Sequence, residues 1–283
     1  MKGFRAILFI LFKLLIRHNL NAIIDLGKER AGRAGPPASF SLHWTMTGLY
    51  LGGEQTDAYQ EVYLVMEGKK ITYFDEAAGT WDEKPSRVEL ARAVSEAIKG
   101  QVPLDRQMRA MEYGCGTGLV SLALAPYLGQ ILAADSSAGM LEVLEEKLKK
   151  LEIENITTML LDLTDPGFNA QGLEAGFDLI FTSMTLHHIE PVEELISRFF
   201  TLLKPGGWLV IADLDREDGT FHGDIPGVFH HGFDRGHLKA LLSEKGFGQI
   251  EALTAHVLEK EIAPGEWREY PVFSMRARRQ AHL

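Results

Sequence analysis

The sequence predicts a doubly wound α/β domain, and three observations carry the prediction. Strand-like and helix-like runs alternate from residue 108 onward, and such alternation builds a parallel sheet with helices on both faces. A glycine-rich turn, Met111-Glu112-Tyr113-Gly114-Cys115-Gly116-Thr117-Gly118, stands between the first strand and the helix after it. Asp135 closes the second strand, at the edge where ligands bind in open α/β sheets.

The elements follow in order. Arg109 to Tyr113 reads as a strand and Leu119 to Tyr127 as a helix. Ile131 to Ala134 is a strand, Ala138 to Leu151 an amphipathic helix, and Ile156 to Leu161 a third strand. Phe177 to Phe181 is a short apolar run of the kind buried on both faces. Val192 to Leu203 is a helix stopped by Pro205-Gly206-Gly207, and Trp208 to Ala212 is the next strand. Asp234 caps a helix running through Lys245, where Gly246 ends it. Ile250 to Leu258 and Val272 to Ala277 close the domain as two strands.

Upstream, Ser86 to Ile98 carries Val88, Ala91, Val94, Ser95 and Ile98 on one helical face. Leu49 to Leu51 and Val62 to Met66 fit short strands or helical turns equally well. At the start, the apolar run Ala6 to Phe12 ends at Lys13, far short of the ~18 residues of a spanning helix. Lys13 also splits what would be the apolar core of a secretory signal. Lys13, Arg17, Asn21 and Asp25 recur every four residues, which makes an amphipathic helix with a narrow polar ridge. Residues 1–30 are expected to pack on their own domain or on a second subunit, with peripheral docking on a membrane as the alternative. The expected organisation is an N-terminal extension over 1–70 and one domain over 71–283.

Composition agrees. A chain of 283 residues, 46% hydrophobic and 24% charged, suits one large α/β domain with an extension. The first 35 residues hold seven basic and two acidic side chains, net +5, so the remainder carries −15 of the overall −10. An acidic body argues against nucleic acid as a general partner. The single cysteine, Cys115, excludes an intramolecular disulfide and any Cys-rich zinc or multi-thiol site. A reducing cytoplasm is the expected compartment, with membrane-peripheral attachment if the N-terminal helix docks there.

The chemistry concentrates in a few residues. Glycines at 114, 116 and 118 let a turn tighten and a ligand approach the backbone, and the helix start beyond them offers unpaired amide donors. Position 119 is Leu, so the pattern is GxGxG rather than the GxGxxG of dinucleotide-binding dehydrogenases. Asp135 can accept from both hydroxyls of a ribose, or it can cap the helix at Ala138, a role open also to Ser136 or Ser137. Asp162 can accept from the exocyclic amine of adenine, with Leu163 covering the ring.

These segments, with Phe177-Asp178-Leu179-Ile180-Phe181, Leu186-His187-His188-Ile189 and Leu202-Leu203-Lys204-Pro205-Gly206-Gly207, resemble class I S-adenosylmethionine-dependent methyltransferases in order and spacing. The resemblance spans roughly residues 73–277 and is closest to small-molecule members, including quinone-biosynthesis C-methyltransferases. It implies a seven-stranded Rossmann-like sheet of order 3-2-1-4-5-7-6 with the last strand antiparallel. It implies S-adenosylmethionine as cofactor and S-adenosylhomocysteine as product. Cofactor contacts would come from Glu112 (where the family usually has Asp), Gly114, Cys115, Gly116, Gly118, Asp135, Ser136, Met140, Asp162, Leu163 and Ser183. Tyr73 and Trp81 would roof the site, their ring faces favouring a sulfonium.

Histidines cluster at 187–188 and 230–231. Both pairs lie just past carboxyl ends of strands, so His188 and His231 are the candidates to contact the acceptor or take its proton. A metal is not expected, because adjacent histidines tend to point apart and no HExxH pattern is present. The expected activity is methyl transfer from S-adenosylmethionine to a small molecule. The alternatives are a non-catalytic cofactor-binding scaffold or membrane-associated regulator, and a nicotinamide-dependent oxidoreductase, which would want a further glycine and a YxxxK pair absent here.

Overall fold

The computed structural model describes residues 71–281 apart from 166, 171, 224 and 226. The expectations for residues 1–70, including the amphipathic helix and its docking, lie outside the described residues.

Residues 71–77 are helical and run into a 3-10 segment, Ala78–Glu83. Helix α1 (Pro85–Gln101) follows, with Pro85 at its first position, where a missing N–H costs nothing. The alternation then appears as β1 (Arg109–Tyr113), α2 (Leu119–Leu124), β2 (Gln130–Asp135), α3 (Ala138–Leu151) and β3 (Ile156–Leu160). The second half comprises β4 (Phe177–Ser183), α4 (Val192–Leu202), β5 (Leu203–Leu214), α5 (Arg235–Glu244), β6 (Phe247–Ala263) and β7 (Glu266–Arg279). The strands form one seven-stranded sheet of order β3-β2-β1-β4-β5-β7-β6. Pairs among β1 to β5 are parallel, while β7 is antiparallel to both neighbours. The expected sheet is the observed one.

The period-two rule of strands sorts the core into two layers. Ala110, Ile131, Ala133, Leu179, Phe181 and Val210 face one way and meet Val94 and Ile98 of α1, Leu124 of α2 and Leu144 of α3. Met111, Leu132, Ile180, Leu209 and Ile211 face the other way and meet Phe199 of α4 and Leu242 of α5. Glu112 shares Ala110's face, an acid set among apolar neighbours.

Two elements differ from the sequence reading. Pro205-Gly206-Gly207 lies inside β5 rather than before it, because Leu203 already pairs with Phe177 and the ladder resumes at Leu179↔Trp208 across a bulge. The last two strands are a long hairpin, with pairs such as Lys260↔Arg268 reaching well beyond Leu258. Those outer residues are mostly charged and none is buried, so no alternation of hydrophobicity announced them. Among the described residues no helix is long and apolar enough to cross a membrane.

Candidate active site

Crossing between β1 and β4 puts the carboxyl ends of β1, β2, β4 and β5 side by side, and the site grows from that edge. The glycine loop leaves β1 with Gly114, Gly116 and Gly118 all in the left-handed region, at φ 71°, 52° and 78°. Gly114 and Gly118 are glycines for packing: a Cβ would sit 2.3 Å from Thr185 Oγ1 and 2.3 Å from Leu144 Cδ1, respectively. Gly116 is different. A Cβ there would find nothing nearer than Met140 Sδ at 3.9 Å, so its outer side opens onto unfilled space.

Asp135 holds this loop to the start of α3. Its Oδ2 accepts from Gly116 N at 2.7 Å and its Oδ1 from Ser137 N at 2.8 Å. The cap of α3 is Ser137, whose Oγ accepts from Met140 N at 3.2 Å, which leaves Asp135 at the cleft. Glu112 lies beneath the loop, 2% exposed, and accepts from Ser121 N at 3.0 Å and from the Ser121 hydroxyl. Burial pushes its carboxyl up to about 8, against the opposing effect of the Ser121 donors. Its carboxylate therefore anchors the start of α2 under the loop. Cys115 is buried too, and burial pushes its thiol well above the usual range.

Asp162 is half-buried, with Oδ1 accepting from Thr164 N at 2.7 Å, while Ser136 and Ser183 are half-buried at the same edge. Leu163 is 0% exposed, packed with the layer that includes Met111, and its N–H donates to Tyr113 Oη at 3.3 Å. Met140 is 2% exposed, and only its sulfur approaches the Gly116 opening.

The roof is tied down by two carboxylates. Asp75 accepts from Ser137 Oγ at 2.6 Å and from Gly139 N at 3.0 Å. Asp82 accepts from Thr117 Oγ1 at 2.6 Å and pairs with Lys147. Trp81 is less available than the sequence suggested, because the Arg87 guanidinium covers one ring face at 3.5 Å. Phe74 is the ring that reaches inward. It meets Tyr73, Trp81 and His188 edge to face at 5.3, 5.7 and 5.2 Å.

Beyond β4 the chain turns at Met184, a non-glycine residue at φ 53° held by its N–H to Ala212 O at 2.9 Å. That turn delivers His187 and His188, and their rings do not diverge: the centroids are 4.2 Å apart. His187 is 1% exposed, with Nδ1 2.7 Å from Asp213 Oδ1 at the end of β5. His188 Nδ1 lies 2.8 Å from Gly227 O. A third ring, His222, lies 4.5 Å from His187, and burial with His187 beside it pushes its pKa down to about 3. Glu217 builds the turn that presents His222, its Oε2 accepting from Gly219 N at 2.8 Å and Phe221 N at 3.1 Å.

His231 lies apart from these three rings. Its side chain is 54% exposed, 3.7 Å from Glu217, and the ring beside His187 and His188 is that of His222. His230 is turned to Ile189 O at 2.9 Å, and Asp234 caps α5 by accepting from His237 N at 2.8 Å. Sequence reasoning missed His222, Asp213 and Phe74. An aspartate ending the apolar run Trp208 to Ala212 was a usable signal for Asp213. The same edge argument that selected His231 applied to His222.

Residues 111–209 match a family model described as a methyltransferase domain. A methyltransferase of Schizosaccharomyces pombe is 38% identical over 135 residues, 44% of this chain and 48% of that protein. The chain thus spans about half the length of this relative. A SAM-dependent methyltransferase from Aquifex aeolicus superposes with TM-score 0.53 at 18% identity, over 74% of this chain and 98% of that one. The phosphoethanolamine N-methyltransferase 2 of Haemonchus contortus, solved with phosphomonomethylethanolamine and S-adenosylhomocysteine, gives TM-score 0.55 at 19% identity, over 66% and 52%. At these identities the two structures speak for the fold. The ordered motifs, the sheet order and the matched model agree, and the chain contains a methyltransferase domain over residues 111–209.

Proposed function

We propose that the chain transfers a methyl group from S-adenosylmethionine to a small-molecule acceptor held at the carboxyl edge of the sheet. The observation that carries this reading is the opening beside Gly116, bordered by the Asp135 carboxylate that fixes the loop. A cofactor ribose fits between Asp135 and Ser136, its adenine towards Asp162, and its methionine end along the Gly114–Gly116 backbone. Bound there, the cofactor supplies an electrophilic methyl on a sulfonium.

The chain's part is positional. Holding an acceptor in line with the methyl removes much of the entropic cost of a two-body reaction. Phe74 and the tethered segment 71–83 shield the edge from water, and aromatic rings near a sulfonium favour its charge. His188, touching Phe74, is placed to contact the acceptor. The small-molecule bound in the nematode enzyme supports the acceptor class, as does the acidic body of this chain.

The test is incubation of the full chain with methyl-labelled S-adenosylmethionine and a cell extract, followed by fractionation into small molecules, protein and nucleic acid. Label entering the small-molecule fraction, and lost with Asp135→Ala, supports the reading. Label in protein or nucleic acid replaces the acceptor class. Cofactor binding without any transfer overturns it in favour of a scaffold.

A further inference from the structure

We propose that His187, His188 and His222 form a three-imidazole site for a divalent transition-metal ion of the zinc, cobalt or iron type. Their ligand nitrogens all lie within 4.8 Å of one another. A bound ion at ~2.0–2.1 Å from each nitrogen requires only modest closing of that triangle. His222, on the partly exposed loop after β5, is the ring with room to move.

Two features distinguish this cluster from ordinary packed histidines. Among the described residues, His187 Nε2 and His222 Nδ1 are buried and have no hydrogen-bond partner. Buried polar atoms are rarely left so, and a metal ion is one of the few partners that two bare imidazole nitrogens facing a third ring can share. The outer partners also have the pattern of metal sites. Asp213 takes the Nδ1 side of His187, which leaves Nε2 as the lone-pair nitrogen, and Gly227 O takes the Nδ1 side of His188. A ligating histidine almost always gives its other ring N–H to a carboxylate or backbone carbonyl in this way.

Asp213 is itself fixed. It is 0% exposed and accepts from Leu214 N at 2.7 Å and from His187 N at 3.3 Å, so the carboxylate cannot swing in to replace an imidazole. Three neutral imidazoles suit zinc, copper, iron, cobalt or nickel rather than magnesium or calcium, which prefer oxygen ligands. A tetrahedral ion held by three protein ligands keeps one position for an oxygen ligand, water or a group of the acceptor. Thr185, whose hydroxyl donates to Gly114 O at 3.3 Å, connects the cluster to the glycine loop, so that position belongs to the same edge as the proposed cofactor cleft. The proposal concerns ion binding and stands whether or not methyl transfer is found.

The experiment is titration of the chelator-treated full chain with Co²⁺ alone, read by visible d–d absorption and by native mass spectrometry. The expected result is one ion per chain with the strong bands of a tetrahedral nitrogen site, displaced by Zn²⁺. His222→Ala, on a partly exposed loop, should abolish the bands, and His237→Ala on α5 should leave them unchanged. Asp213→Asn should weaken binding about 10- to 100-fold. Absence of stoichiometric binding overturns the site. So does binding that survives in both His222→Ala and His188→Ala, because the ion would then sit on other residues.

Discussion

Glu112 shows how one buried group couples this site to pH. With a folded-state pKa near 8 and an ordinary unfolded value of 4.5, the folded chain binds a proton that the unfolded chain releases. The stabilising proton is fully in place below pH 4.5, and its contribution is lost as pH rises through about 8. Urea unfolding from pH 5 to 9 should therefore show stability declining across that window, and Glu112→Gln should flatten the decline. A slope unchanged in Glu112→Gln would mean that another group is responsible. Asp135 makes a prediction of a different kind. Loss of its charge-assisted hydrogen bonds should cost roughly 1.5–3 kcal/mol of cofactor binding, or about 10- to 150-fold in Kd. Calorimetry on Asp135→Ala checks this, and an affinity within twofold of wild type removes Asp135 from the cofactor site. At this scale the sequence was informative for backbone-determined residues. Glycines at 114, 116 and 118 and the acid after β2 are set by strand–turn–helix spacing, which is local. His222 and Asp213 meet His187 only through tertiary structure, and nothing local announces that His222's loop folds back over β4. The expectation that no metal binds rested on adjacent histidines diverging, and the left-handed turn at Met184 brings those rings together instead.

At the scale of elements, the glycine loop separates packing from binding. An alanine at either Gly114 or Gly116 would carry the left-handed backbone cost of roughly 1–2 kcal/mol. At Gly114 the new Cβ also lies 2.8 Å from Thr185 Cβ, and such overpacking adds about 1–3 kcal/mol. Gly114→Ala should thus lower stability clearly more than Gly116→Ala in denaturant unfolding. Gly116→Ala should instead stay folded and lose cofactor affinity by more than about tenfold, since its Cβ enters the open space. If the two variants are equally destabilised, or Gly116→Ala binds normally, the division is wrong. Element type was legible wherever hydrophobic periodicity was strong, as in α3, whose bounds match the expectation, and in β1. It was least legible where burial does not set the pattern. The outer halves of β6 and β7 contain no buried side chain beyond Leu258 and before Tyr270, and the bulge in β5 places a helix-stopping Pro-Gly-Gly within a strand. The roof was half legible. Tyr73 and Trp81 flank the right segment, but on a helix one position turns the ring by about 100°, and Phe74 is the side chain that faces inward.

For the whole molecule, the sheet order was predicted through resemblance rather than by periodicity, since alternation alone fixes a parallel sheet but not which strand lies beside which. The antiparallel β7 between β5 and β6 is what the motif order implied and what the structure contains. That topology leaves the carboxyl ends of β1 and β4 adjacent and puts the glycine loop, the roof and the histidines on one edge. The central claim, that this edge is a cofactor site for S-adenosylmethionine, is tested most directly by calorimetric titration of the full chain with S-adenosylhomocysteine, with NADH as the control. One site per chain is expected for S-adenosylhomocysteine, weakened in Asp135→Ala, with no heat from NADH. No binding of S-adenosylhomocysteine, or saturable binding of NADH in its place, would contradict it.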